Sequence, residues 1–114
     1  MTVAVVAQDR INELAETEEI KKLRKFYREE NKSAYERKGI EFLGYVLSSI
    51  CAQYLFVGEE AERYFKVLDA RNFLLEKYKE LPDAEAINCR EEIEDYLEEA
   101  DEELEYLESE ILDQ

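Results

Sequence analysis

The sequence of 114 residues predicts an all-α protein, an antiparallel four-helix bundle-like domain that ends in a long acidic helix. Three observations predict this fold class. Apolar residues recur at intervals of three and four along most of the chain. The chain holds one Pro and three Gly, and no segment carries the signals of a β-hairpin. We therefore expect a single helical domain over residues 1–114, with helices at about 3–30, 33–57, 59–81 and 84–112.

The first predicted helix, at about 3–30, contains a change of phase. Two apolar stripes, one on each side of Thr17, do not continue into one another. Threonine favours the N-cap position, where its side-chain oxygen accepts a hydrogen bond from an N–H of the first turn. We expect a kink or break at Glu16–Glu19, with Thr17 capping the second piece.

The second predicted helix begins at Ser33. Glu36 follows three residues later, which is the spacing of a capping box. The helix to about residue 57 is apolar on several sides, as expected of a buried helix. It includes Gly39 and Gly44, each of which costs a helix about 1 kcal/mol relative to alanine. A close crossing of two helices would account for these glycines, and chance would account for them equally well.

The last two predicted helices are bounded by Gly58 and Pro82. Gly58 suits the position just after a helix, and Pro82 stops the third helix, after which Asp83 can cap the fourth. The fourth helix carries one narrow apolar stripe with heptad spacing. This stripe consists of Ile93, Leu97, Ala100, Leu104, Leu107 and Ile111.

The net charge of −15 lies almost entirely on the last helix. Residues 83–114 contain 15 acidic residues and one basic residue, whereas residues 1–82 carry a net charge of −1. The segment from Lys21 to Lys38 is the opposite case, with eight bases and three acids. Since the first and last helices of an up-down-up-down bundle lie side by side, we expect this basic segment to pack against the acidic helix.

Several carboxylates of the last helix lie away from its apolar stripe and exceed what the basic segment can neutralise. They form a row on the order of 20 Å long at 1.5 Å per residue. The row is either a solvated face that maintains solubility or a surface that binds a basic partner protein. The candidate partner-binding residues are Glu91, Asp95, Glu98, Glu102 and Glu105.

The composition excludes several chemistries. Without histidine the chain has no Ser-His-Asp triad, no Cys-His pair and no imidazole ligand for zinc or haem. Cys51 lies on the apolar helix and is predicted to be a core residue, and nothing marks Cys89 as reactive. We expect no cofactor and no metal, and we interpret the protein as non-enzymatic.

Short carboxylate pairs resemble one enzyme family. Glu59–Glu62, Glu91–Glu94 and Glu98–Asp101 have the E-x-x-E and E-x-x-D spacings with which all-α nucleotide pyrophosphohydrolases hold magnesium. This resemblance implies a magnesium-dependent pyrophosphohydrolase as an alternative function. A site of that kind needs the acids to face the bundle interior, with a Lys or Arg to meet phosphate.

The acidic helix is similar in character to helical DNA-mimic anti-restriction proteins encoded by phages, in which Asp and Glu stand in for phosphates. The similarity implies an inhibitor, an antitoxin or immunity-type protein, or a regulator that binds a basic protein surface, such as that of a nucleic-acid-binding protein. The alternative from a different class is a self-assembling helical scaffold or assembly factor.

Other partners follow from charge and length. Lys21, Lys22, Arg24 and Lys25 could contact phosphates, but the net charge of −15 opposes nucleic acid, so we expect no direct binding. The most apolar segment, 42–57, is shorter than the roughly 20 residues of a membrane span. We expect a cytoplasmic protein without membrane contact. A possible homodimer through the second and third helices would cover Phe42, Tyr45, Tyr54, Phe56, Tyr64, Phe65 and Phe73.

Overall fold

The computed structural model describes residues 3–52 and 60–112, and the side chains of residues 8–52 and 60–111. These residues form five helices and no strand, which confirms the predicted all-α bundle-like fold. The helices are α1 (Val3–Ala15), α2 (Glu18–Lys38), α3 (Ile40–Cys51), α4 (Glu60–Lys79) and α5 (Asp83–Leu112). Gly58 and the end predicted at residue 57 lie outside the described residues.

The predicted break at Thr17 is confirmed. The Thr17 hydroxyl donates to the carbonyl of Leu14 at 2.8 Å, and its oxygen accepts from the N–H of Ile20 at 3.3 Å. One side chain therefore satisfies a carbonyl at the end of α1 and an N–H at the start of α2.

The helix start predicted at Ser33 is wrong. Ser33 is an exposed residue within α2, which continues without a break to Lys38. The break occurs instead at Gly39, whose φ of 83° and ψ of −171° are accessible to glycine and strained for other residues. The capping-box spacing also occurs by chance inside helices, so it does not mark a start without a residue that ends the preceding helix.

Gly44 lies at a close crossing of α3 and α5. A Cβ atom added at Gly44 would overlap the ring of Tyr96 on α5. Of the two explanations offered for this glycine, the structure therefore supports the close crossing. The absence of a side chain at Gly44 is what lets the aromatic ring lie against the backbone of α3.

Helix α4 occupies the middle of the molecule, where it packs against α2, α3 and α5. Helix α5 packs against α1, α3 and α4 through its predicted apolar stripe, in which every residue is buried except Leu97, which is half-buried. The largest fully buried side chains come from α3, α4 and α5. They are Leu47, Phe65, Val67, Leu74, Ile93, Leu107 and Ile111.

The expected pairing of the basic segment with the acidic helix is wrong. Helix α2, which carries that segment, packs against α3 and α4, whereas α1 is the neighbour of α5. Arg24 binds Asp69 of α4 with two hydrogen bonds, of 3.0 and 2.8 Å, and its guanidinium lies 5.0 Å from the centroid of the Phe65 ring. The apolar faces of the helices thus determine the neighbours of α5, because exposed ion pairs contribute too little to select them.

Candidate functional site

The predicted partner-binding row lies on the solvent side of α5. Its five residues are all exposed, and they project from the side of the helix opposite the buried stripe. Five residues at intervals of three and four along one helix necessarily share a face, because the α-helix repeats every 3.6 residues. The structure therefore brings together Glu91, Asp95, Glu98, Glu102 and Glu105, which we call the acidic face.

The carboxylates of the acidic face have no hydrogen-bond or ion-pair partner in the described part of the chain. Other acids of α5 do have such partners. Arg63 binds Glu103, Arg71 donates to Asp101 at 3.1 Å, and Arg90 donates to Glu94 at 3.1 Å. The arginines near α5 therefore neutralise carboxylates beside the apolar stripe, and the charge of the acidic face remains open to solvent.

Arg63 and Glu103 form the most buried ion pair between α4 and α5. Both side chains are largely shielded from water, and the Arg63 guanidinium also donates to the carbonyl of Cys51 at 3.2 Å. The pair ties the end of α3 and the middle of α5 to α4.

Two exposed apolar side chains accompany the acidic face. Ile87 is 71% exposed and lies before the row, and Tyr106 is 52% exposed and lies at its end. Neither residue is among the partner-binding residues predicted from the sequence. The signal that could have found them is their position outside the heptad stripe of α5. Large apolar residues near a charged surface are the usual anchors of protein interfaces.

A surface of opposite sign lies on α2. Lys25, Arg28 and Lys32 are exposed, are spaced three and four residues apart, and have no ion pair with the described residues. We call these three residues the basic ridge. Arg24 belongs to the same basic segment but forms an ion pair with Asp69, and the neighbouring Tyr27 is buried.

Two of the three carboxylate pairs that resemble those of pyrophosphohydrolases do not face the interior, and Glu62 of the third pair is half-buried. Glu91, Glu94, Glu98 and Asp101 are exposed, and Glu59 lies outside the described residues. Within residues 3–52 and 60–112, no group of three or more His, Cys, Asp or Glu side chains is placed to hold a metal ion.

Cys51 is buried, as the sequence predicts. Burial, together with the nearby carboxylates of Glu99 and Glu103, raises the pKa of its thiol to about 12. A thiol with so high a pKa is protonated at neutral pH and is a poor nucleophile. Cys89 is half-buried, and its thiol donates to the carbonyl of Glu85 at 3.2 Å.

The aromatic residues that motivate the predicted homodimer have different environments. Tyr64 and Phe65 are buried in the core of one chain, Phe42 and Phe73 are half-buried, and Tyr45 is exposed. Tyr54 and Phe56 lie outside the described residues. In the ranges that the structure describes, no helix is long and apolar enough to cross a membrane.

Comparison of the chain with protein families, with curated proteins and with solved structures finds no match.

Proposed function

We propose that the protein acts without catalysis, by binding a partner protein that presents a basic surface to the acidic face of α5. The observation that carries this proposal is the row of five exposed carboxylates without a partner in the described part of the chain. An inhibitor, an antitoxin or immunity-type protein, or a regulator would use such a surface in the same way.

Electrostatics and shape both support this use of the acidic face. From Glu91 to Glu105 the row extends about 21 Å along a rigid helix, which suits a basic groove of another protein. Aligned charges of one sign steer association and raise its rate at low ionic strength. Tyr106 adds an exposed aromatic ring that the partner can bury.

The first experiment identifies the partner by affinity purification of the tagged full chain from the cells that express it, followed by mass spectrometry. Association of the purified pair is then measured at two salt concentrations. Replacing Glu98, Glu102 and Glu105 together with Gln should slow association severalfold at low salt. The slowing should be smaller at high salt, since screening weakens these charges in both proteins.

A matched variant separates the acidic face from net charge. Glu19, Glu29 and Glu36 are exposed acids of α2 that have no ion pair with the described residues. Their replacement with Gln changes the net charge by the same three units, and we expect it to leave association nearly unchanged. Equal slowing by the two triple variants, or no slowing by either, would argue against the acidic face as the binding surface.

A second candidate function is self-assembly as a scaffold, which is favoured by the basic ridge on α2. The acidic face and the basic ridge belong to helices that do not pack along one another, so a second copy could bring the two together. The homodimer predicted from the aromatic residues would use α3 and α4 instead. Both arrangements give a mass above the 13.5 kDa of one chain.

Light scattering at low and high salt distinguishes these arrangements. Association between the acidic face and the basic ridge should decrease with salt, whereas burial of aromatic residues should not. If the protein has the monomer mass at tens of micromolar in both buffers, the hypothesis of self-assembly is rejected and partner binding remains as the proposal.

A further inference from the structure

A cleft of about 560 Å³ lies between α2 and α3, on a different surface from the acidic face. Its apolar wall consists of Ala34 from α2 and of Phe42, Val46 and Ile50 from α3. Pockets for small molecules have volumes of about 300–1,000 Å³ and are lined mainly by apolar side chains with a few polar groups. The α2–α3 cleft has this size and this composition.

Two buried polar side chains of α2 line the cleft. Tyr27 is 5% exposed and Asn31 is 8% exposed, and they lie one helical turn apart on the same face. Neither side chain has a hydrogen-bond partner in the described part of the chain. Neither residue contributes an atom to the fully buried unpaired groups of the described residues, so the Tyr27 hydroxyl and the Asn31 carboxamide still reach solvent. These polar atoms are therefore available to hydrogen-bond a ligand that carries a hydroxyl group.

The charges around the cleft differ between its two ends. Arg37, near the junction of α2 and α3, is exposed and has no ion pair with the described residues. At the other end, burial and the carboxylates of Glu62 and Glu30 raise the pKa of Tyr27 to about 12. The ammonium group of Lys66 lies 5.4 Å from the centroid of the Tyr27 ring. A neutral hydroxyl therefore suits the Tyr27 end, and an anion suits Arg37.

The spacing of these groups sets the length of the ligand. Arg37 lies six positions after Asn31, which is about 9 Å along the helix axis at 1.5 Å per residue. The rings of Phe42 and Tyr45 are stacked with their centroids 6.4 Å apart, and both residues line the cleft. Two connected aromatic rings, with a polar group at each end, have about this length.

We propose that the α2–α3 cleft binds an elongated hydroxyaryl carboxylate. The rings of the ligand pack against Phe42, Val46 and Ile50. Its carboxylate accepts hydrogen bonds from the guanidinium of Arg37, and its hydroxyl pairs with the carboxamide of Asn31. This site adds a small-molecule ligand to a protein whose proposed partner surface is elsewhere, and it does not depend on that proposal.

The test uses 4′-hydroxybiphenyl-4-carboxylate as the probe and the ¹⁵N-labelled full chain. Titration should shift the amide signals of α2 and α3 and should saturate. Arg37→Gln should weaken binding about tenfold, because it removes the cation that meets the carboxylate. Arg28→Gln is the matched control, since Arg28 is an exposed arginine of the same helix that does not line this cleft. It should bind the probe like the unaltered chain.

Two related compounds test the polar contacts independently of any variant. The neutral 4-carboxamide should bind about as weakly to the unaltered chain as the carboxylate binds to Arg37→Gln. Biphenyl-4-carboxylate lacks the hydroxyl and should bind severalfold more weakly than the probe, and Asn31→Leu should remove that difference. Far-UV circular dichroism verifies that each variant is folded.

Several results would overturn the proposal. The first is the absence of saturable shifts at millimolar probe. The second is equal weakening by Arg37→Gln and Arg28→Gln, which indicates attraction to α2 in general. The third is equal affinity for the three compounds, which indicates that neither Arg37 nor Asn31 recognises a polar group.

Discussion

At the scale of single residues, Gly44 has the clearest structural role, because any side chain there would overlap the ring of Tyr96. Gly44→Ala should lower the free energy of unfolding by about 1–3 kcal/mol through overpacking, even though alanine favours the helix. In a Tyr96→Ala background the overlap is gone. The same change should then be neutral or should stabilise α3 by up to about 1 kcal/mol.

Urea denaturation of the four proteins in this double-mutant cycle measures the coupling between positions 44 and 96. A coupling energy near zero would show that the Tyr96 ring moves aside without cost, contrary to a close crossing of α3 and α5.

Gly39 and Ser33 give a second prediction at the residue scale. Replacement of Gly39 should lower the stability of the protein, whereas replacement of Ser33 should hardly change it. Gly39→Ala should destabilise the protein by about 1–3 kcal/mol, because alanine is strained at a φ of 83° and a ψ of −171°. Ser33→Ala should change stability by less than about 0.5 kcal/mol, since Ser33 is an exposed residue inside α2. Thermal unfolding compares the two variants, and a larger loss at Ser33 would support the helix start predicted from the sequence.

At the scale of elements, two ion pairs join α4 to α5 in different environments. The Arg63–Glu103 pair is largely buried, whereas the Asp101 side chain that binds Arg71 is mostly exposed. Removing one partner of a buried pair costs about 3–5 kcal/mol, so Glu103→Gln should approach this range. Asp101→Asn should cost less than about 1 kcal/mol.

The comparison is made by urea unfolding of both variants at low and high salt. The effect of Glu103→Gln should hardly depend on salt, because buried charges are screened weakly. Similar small losses for both variants would mean that the buried Arg63–Glu103 pair stabilises the fold no more than the exposed pair does.

At the scale of the whole molecule, three buried groups predict a loss of stability at alkaline pH. Burial raises the pKa of Tyr27, of Tyr64 and of Cys51 to about 12 in the folded protein. Unfolding returns these values to about 10 for tyrosine and about 8.5 for cysteine. Above pH 9 the unfolded chain therefore releases these protons first, and the free energy of unfolding falls as the pH rises toward 12.

Tyr64→Phe removes one of these groups and should make the alkaline fall shallower. Between pH 6 and 8 Tyr64 is protonated in both states, so the difference between the variant and the unaltered chain should be constant there. Equilibrium unfolding across pH 6–11 measures both properties, and an equally steep fall in both proteins would contradict the prediction.

The sequence by itself determined the local features of the molecule. The heptad spacing in α5 predicts which residues are buried, and by the same geometry it predicts that Glu91, Asp95, Glu98, Glu102 and Glu105 share an exposed face. The change of phase at Thr17 predicts the break between α1 and α2. These predictions succeed because helical periodicity depends on neighbours within a few residues of one another.

Only the tertiary structure decided which surfaces meet. Periodicity shows that a helix buries one face, but it does not show which helix covers that face, and exposed charge pairs are too weak to choose. The packing of α4 between α2 and α5 therefore could not be predicted from the charge pattern. The burial of Arg63 against Glu103 and the cleft beside Asn31 depend on that packing, because each brings together residues from separate helices.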